Sequence, residues 1–132
     1  MKIVEEIEAR LRKYSGVQYE VSDDAVTVPP DTEDGFEVSL RIATTAPDPE
    51  ITVYFNGWHE EFSSSQEALN CFAMGLTKEC RLKEWSRGEK AYKWCLEILQ
   101  NGGWEAYSTT SLFFAPFWKA KKVRYLQNNL VK

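Results

Sequence analysis

The sequence predicts an α+β fold, a mostly antiparallel β-sheet with two helices packed on one face, in the order α-β-β-β-α-β-β-β. Three observations lead there. Apolar residues recur at helical spacing in two stretches, residues 2–14 and 65–76. Elsewhere apolar and polar residues alternate, as they do along half-buried strands. Short clusters of Gly, Pro, Asn, Asp and Ser separate the alternating stretches, as turns do.

In the first helix Ile3, Val4, Ile7, Leu11 and Tyr14 form one apolar stripe. Glu5, Glu6 and Glu8 stand early and Arg10, Arg12 and Lys13 late, which complements the helix dipole, and Gly16 supplies the stop. Val17, Tyr19 and Val21 then alternate with polar residues, and Ser22-Asp23-Asp24 turns the chain into Val26-Thr27-Val28. Pro29-Pro30 ends that pairing because proline has no N–H to donate, and Asp31 to Gly35 forms an acidic loop.

Residues 36–42 and 51–55 form an antiparallel pair joined through Pro47-Asp48-Pro49, with Gly57 marking a bulge before Trp58. Ser64 and Glu67 fit a capping box at the start of the second helix, whose apolar face is Leu69, Phe72, Ala73 and Leu76. Residues 78–100 match both periods. The turns Ser86-Arg87-Gly88-Glu89 and Asn101-Gly102-Gly103 decide for strands, followed by another at Trp104–Thr109. The run Leu112–Trp118 reads as a buried apolar segment broken by Pro116, and Val123–Leu126 as a last short strand or helical turn. The solvent-facing side of the sheet is expected to show Glu37, Arg41, Thr52, Tyr54, Lys93 and Glu97.

Charge is divided unevenly. Residues 1–66 hold 5 Lys/Arg against 14 Asp/Glu, a balance of −9, and residues 67–132 hold 11 against 6, a balance of +5. Either the halves fold onto each other or each presents a charged face to a partner. At 132 residues the chain fits one domain, 1–132, and no apolar run is long enough to span a bilayer. The acidic start lacks the apolar stretch of a signal peptide, and Cys71, Cys80 and Cys95 are odd in number without CxxC spacing. These features predict a cytoplasmic protein with reduced thiols and no membrane partner.

No catalytic or nucleotide-binding signature is present: GxGxxG, GxxxxGK[ST] and GxSxG are all missing. His59 is the single histidine, which rules out sites built on several imidazoles. The weak catalytic candidates are His59 with Glu61, or His59 with a cysteine; Glu60 points to the opposite face of the strand. Asp31–Gly35 fails the EF-hand pattern and reads as a solvated connection. No metal site and no cofactor is predicted.

The C-terminal segment carries more information. Phe113, Phe114, Phe117, Trp118 and Tyr125 interleave with Lys119, Lys121, Lys122 and Arg124. Rings that stack and cations that neutralise phosphate suit single-stranded nucleic acid. The pI of about 5.1 argues against that partner. The element order is similar to that of the α+β chaperones of bacterial secretion systems, which pair as dimers and bind other proteins, and an extra strand would break the likeness. The expected function is a non-enzymatic binding or interaction module with an aromatic sheet surface and a charged rim, formed by Trp58, Phe114, Phe117, Trp118, Lys119, Lys122 and Arg124. Its expected partner is a second copy in a homodimer or another protein, with a small hydrophobic ligand as an alternative.

Overall fold

The structure, a computed structural model, describes residues 3–43 and 50–131. Lys2 of the expected first helix and the Pro47-Asp48-Pro49 connection lie outside them. The described residues form α1 (Ile3–Leu11), β1 (Glu20–Val21), β2 (Ala25–Val28), β3 (Val38–Ala43), β4 (Glu50–Phe55), β5 (Trp58–Phe62), α2 (Ser65–Gly75), β6 (Cys80–Arg87), β7 (Lys90–Gln100), β8 (Gly103–Ser111) and β9 (Lys121–Leu126). Helix, strands, helix, strands is the predicted α+β order, and every pairing is antiparallel.

The strands divide into two sheets, β1-β2-β3-β4-β5 and β8-β7-β6-β9. The first turns Val26, Val28, Val38, Leu40, Ile51, Val53, Phe55 and Trp58 toward the helices, all of them buried. Helix α1 contributes Ile3, Val4, Ile7 and Leu11, four of the five residues of the predicted stripe; it ends at Leu11 and not at Tyr14, which is exposed, and α2 contributes Ala68, Leu69, Cys71 and Phe72. Ser64 caps α2 by accepting a bond from the Glu67 N–H at 3.2 Å. Cys80, Leu82, Trp94, Leu96 and Leu126 extend the same core into the second sheet. No helix of the described residues is long and apolar enough to cross a membrane.

Four expectations are corrected. The strand at 17–21 shrinks to the exposed pair Glu20–Val21. Gly57 is not a bulge: Asn56, at φ 52°, and Gly57 form a two-residue connection that pairs Phe55 with Trp58 and starts β5. Here glycine is needed for space, since a Cβ would collide with the Trp94 indole lying over it. The segment Leu112–Trp118 is no core strand but an exposed loop. Five strands before α2 and a separate second sheet depart from the secretion-chaperone order.

The C-terminal turn locks the assembly together. Asn128 is buried and accepts a bond from the Phe36 N–H while donating to the carbonyls of Phe36 and Gly75, all at 2.9–3.0 Å. The N–H groups of Leu130 and Val131 donate to the Leu76 carbonyl, so the chain end ties the last turn of α2 to the loop before β3.

Candidate binding surface

Only the near end of the second sheet belongs to the core. There Trp94 lies over Gly57, the Trp58 Nε1–H donates to Ser108 Oγ at 2.9 Å, and the His59 N–H donates to Thr110 Oγ1 at 3.3 Å. At the far end, residues 86–93 and 111–122 are half-buried or exposed. The two sides of this sheet therefore face different surroundings, and the alternation of each strand assigns its side chains between them.

The outward side carries Arg81, Lys83, Trp85 and Arg87 from β6. Their register partners are Glu97, Cys95, Lys93 and, past an irregularity after Trp85, Lys90 on β7, and Tyr125, Val123 and Lys121 on β9. The Arg81 guanidinium lies between two rings, 4.4 Å from the Trp104 centroid and 4.2 Å from that of Tyr125, and bonds Glu97 at 2.6 Å. The ammonium groups of Lys83 and Lys93 sit 4.8 and 4.7 Å from the Trp85 ring. Cations over indole and phenol faces are held by the ring quadrupole. The face is an alternation of planes and positive charges, with Glu97 as the carboxylate among these register partners.

The loop joining β8 to β9 projects beyond the far end. The Leu112 N–H donates to the Tyr92 carbonyl at 2.8 Å, and the Gly88 N–H donates to the Ala120 carbonyl at 3.0 Å. The Lys119 side chain lies against Gly88, which adopts φ 61° in the β6–β7 turn, a backbone conformation suited to glycine. Both ends of the loop are thus anchored to the β6–β7 hairpin, while its side chains stay bare. Phe113 is 107% exposed, Phe117 75%, Trp118 65% and Phe114 57%. Trp118 contacts Phe117 edge-on at 5.3 Å and Phe114 at 6.4 Å, and the Lys90 ammonium stands 5.9 Å from the Phe114 ring.

Six of the seven sequence-derived contact residues meet at this end. Phe114, Phe117, Trp118 and Lys119 are in the loop, and Lys122 and Arg124 on the strand that leaves it. Lys122 and Arg124 line an open groove of about 710 Å³ with Glu84, Ser86, Gly88 and Glu89. Glu84, buried at the groove floor, accepts bonds from Arg124 Nε at 2.8 Å and from the Trp94 Nε1–H at 2.9 Å. The seventh, Trp58, is corrected: it is 0% exposed and stacks on Phe55 at 4.9 Å, so it supports the core and offers nothing to a partner.

The catalytic candidates fall elsewhere. His59 lies on the outer face of the first sheet, 5.6 Å from the Tyr54 ring. Glu61 shares that face, and its proximity raises the Glu50 carboxyl above its ordinary value. Among the described residues no hydrogen bond joins His59 to Glu61. Cys71 is on α2, which packs against the opposite face, and burial pushes the thiols of Cys71 and Cys80 up to about 12. They are neutral thiols at physiological pH, a poor state for a nucleophile. No group of three or more His, Cys, Asp or Glu among the described residues is arranged to hold a metal ion.

Compared with known families, curated proteins and solved structures, the chain matches none. The chemistry of the surface therefore rests on its own side chains.

Two relations, one on that surface and one in the core, were not apparent from the sequence. The outward set Arg81, Lys83, Trp85, Trp104 and Tyr125 was legible as alternation within single strands. Which strands pair, and so which rings and cations become neighbours, was not. The Asn56-Gly57 dipeptide between alternating stretches is a strong hairpin signal that would have placed β5 and buried Trp58.

Proposed function

We propose that the protein is a non-enzymatic binding module whose contact surface is the far end of the second sheet, bare aromatic rings framed by lysine and arginine. The observation that carries this reading is the exposure of Phe113, Phe114, Phe117 and Trp118 beside Lys119, Lys121 and Lys122. An exposed apolar cluster of this kind marks an interaction site, because water solvates it poorly and nothing in the fold requires it. The cations select a partner that carries negative charge.

The test is retention on an immobilised polyanion. Despite a pI of about 5.1, the protein is expected to bind heparin resin at low salt, and Lys119→Glu with Lys122→Glu to release it. Flow-through of the unaltered protein at low salt would remove the reading. A second copy is one such partner, since residues 1–66 carry −9. Sedimentation equilibrium is expected to show a dimer as concentration rises, and a 15.3 kDa species at every concentration would exclude it.

A second reading is favoured by the outward face itself. The rings of Trp85, Trp104 and Tyr125 between Arg81, Lys83 and Lys93 suit stacked bases and phosphates of a single strand. Oligonucleotide anisotropy should then fall steeply with salt, and Trp104→Ala should weaken binding by about tenfold.

A further inference from the structure

We infer that the loop between β8 and β9 seats the protein on an anionic lipid surface, with its aromatic side chains at the headgroup boundary and its cations against the phosphates. This deepens the binding-module reading, on which it rests, by naming the partner of the loop.

The shape of the patch comes first. Its rings stand on a projecting tip and not in a cleft: Phe113 is fully exposed, and Phe114, Phe117 and Trp118 lean on one another with their outer sides bare. A convex cluster of this kind is met best by a medium that deforms around it. A bilayer boundary does so, and it accommodates aromatic rings at headgroup depth.

The charge comes second. Lys119 lies in the loop, the Lys90 ammonium stands 5.9 Å from the Phe114 ring, Arg87 Nη1 donates to the Lys119 carbonyl, Lys121 and Lys122 begin the strand that leaves the loop, and Arg124 is paired with Glu84. Glu89 is an exposed carboxylate in the β6–β7 turn. Basic residues next to an apolar anchor add attraction to an anionic leaflet, and the two contributions together give firmer seating than either alone.

The fold supplies the third element. The tip is anchored through the Leu112 and Gly88 backbone bonds to the β6–β7 hairpin, so its bare rings are held on a fixed support. Such seating is peripheral, and needs no spanning segment.

The experiment is cosedimentation of the full chain with phosphatidylcholine vesicles, with and without phosphatidylserine. The expected result is partition onto the serine-containing vesicles at low salt, weakened by added salt, with a blue shift of tryptophan emission that Trp118→Phe reduces. Phe113→Ser with Phe117→Ser, and separately Lys119→Glu with Lys122→Glu, should each lower partition by about tenfold. Circular dichroism checks that these exposed substitutions leave the fold intact.

Absence of partition onto serine-containing vesicles overturns the inference, and so does partition indifferent to the aromatic substitutions. If vesicles fail while heparin retention persists, the lipid partner is wrong and the binding-module reading stands. If both fail, both readings fall. Tip-dependent dimerisation, or tip-dependent binding of a single-stranded oligonucleotide, without vesicle binding would reassign the loop to that occupant.

Discussion

The first sheet buries most of one face beneath α1 and α2, the exposed β1 apart, whereas the second buries only its middle, around Leu82, Trp94, Leu96 and Leu126. In the first, apolar side chains alternate inward from Val26 to Phe62, and the burial of Phe55, Trp58 and Phe72 supplies much of the hydrophobic stabilisation. In the second, Leu82, Leu96 and Leu126 join that core, and beyond Glu84 the strands run out past it with rings and cations on display. One sheet holds its aromatics where removal damages folding. The other buries Trp94 against Gly57 and leaves most of its remaining rings where removal spares the fold.

The sharpest break in that comparison is a pair of tryptophan substitutions. Trp58→Ala should cost about 3–5 kcal/mol in urea unfolding, because it empties a stacked and fully enclosed site. Trp118→Ala should change stability by no more than about 0.5 kcal/mol. Comparable losses for both would place the tip inside the folding unit and remove its role as a free surface.

Next in size is Asn128→Ala, which leaves the Phe36 N–H and the carbonyls of Phe36 and Gly75 unpaired in the interior. About 2–3 kcal/mol is expected, seen as a lower midpoint with an unchanged slope. Gly57→Ala should cost about 1–3 kcal/mol, since Trp94 is buried and has little room to withdraw. A neutral result there would show that the two sheets slide against each other at β5.

The thiols give a smaller and more local contrast. Cys71 and Cys80, with values pushed up to about 12 by burial, should react with a maleimide at neutral pH only as fast as the protein opens. Unfolding in urea should accelerate both. Rapid native modification of either would mean that the core at α2 and β6 is open.

The smallest effect concerns Tyr107, whose O–H donates to Glu60 Oε2 at 3.0 Å across the junction of β8 and β5. Partial burial first, and this bond second, raise its value from 10 to about 12. The stabilisation is whole below the ordinary tyrosine value and is lost as pH climbs toward about 12, where the folded-state phenol ionises beside a carboxylate. Alkaline unfolding curves should show this loss in the unaltered protein and less of it in Tyr107→Phe.

Much of the fold was written along the chain. The stripe Ile3, Val4, Ile7 and Leu11, the Ser64 cap, the turns at Gly88 and at Asn101-Gly102, and the strand choice for residues 78–100 follow from local spacing and turn chemistry, which act within a few residues. The contact surface was half legible. Phe114, Phe117, Trp118 and Lys119 were singled out by composition, yet the run Leu112–Trp118 looked like core, because an apolar run broken only by Pro116 gives the same local signal buried or bare. Trp58 was misplaced for the converse reason, since one residue beside a histidine does not reveal which side of a sheet it will face.

By itself the sequence determined the periodicities, the caps, the turns and the division of charge, each a property of neighbours along the backbone. The tertiary structure decided that the strands split into two sheets, that Arg81 lies between Trp104 and Tyr125, that Asn128 ties the loop before β3 to α2, and that Phe113, Phe114, Phe117 and Trp118 are left outside. Burial and stacking are relations between residues far apart in the chain. They exist only once strand pairing has fixed which side of each sheet is covered.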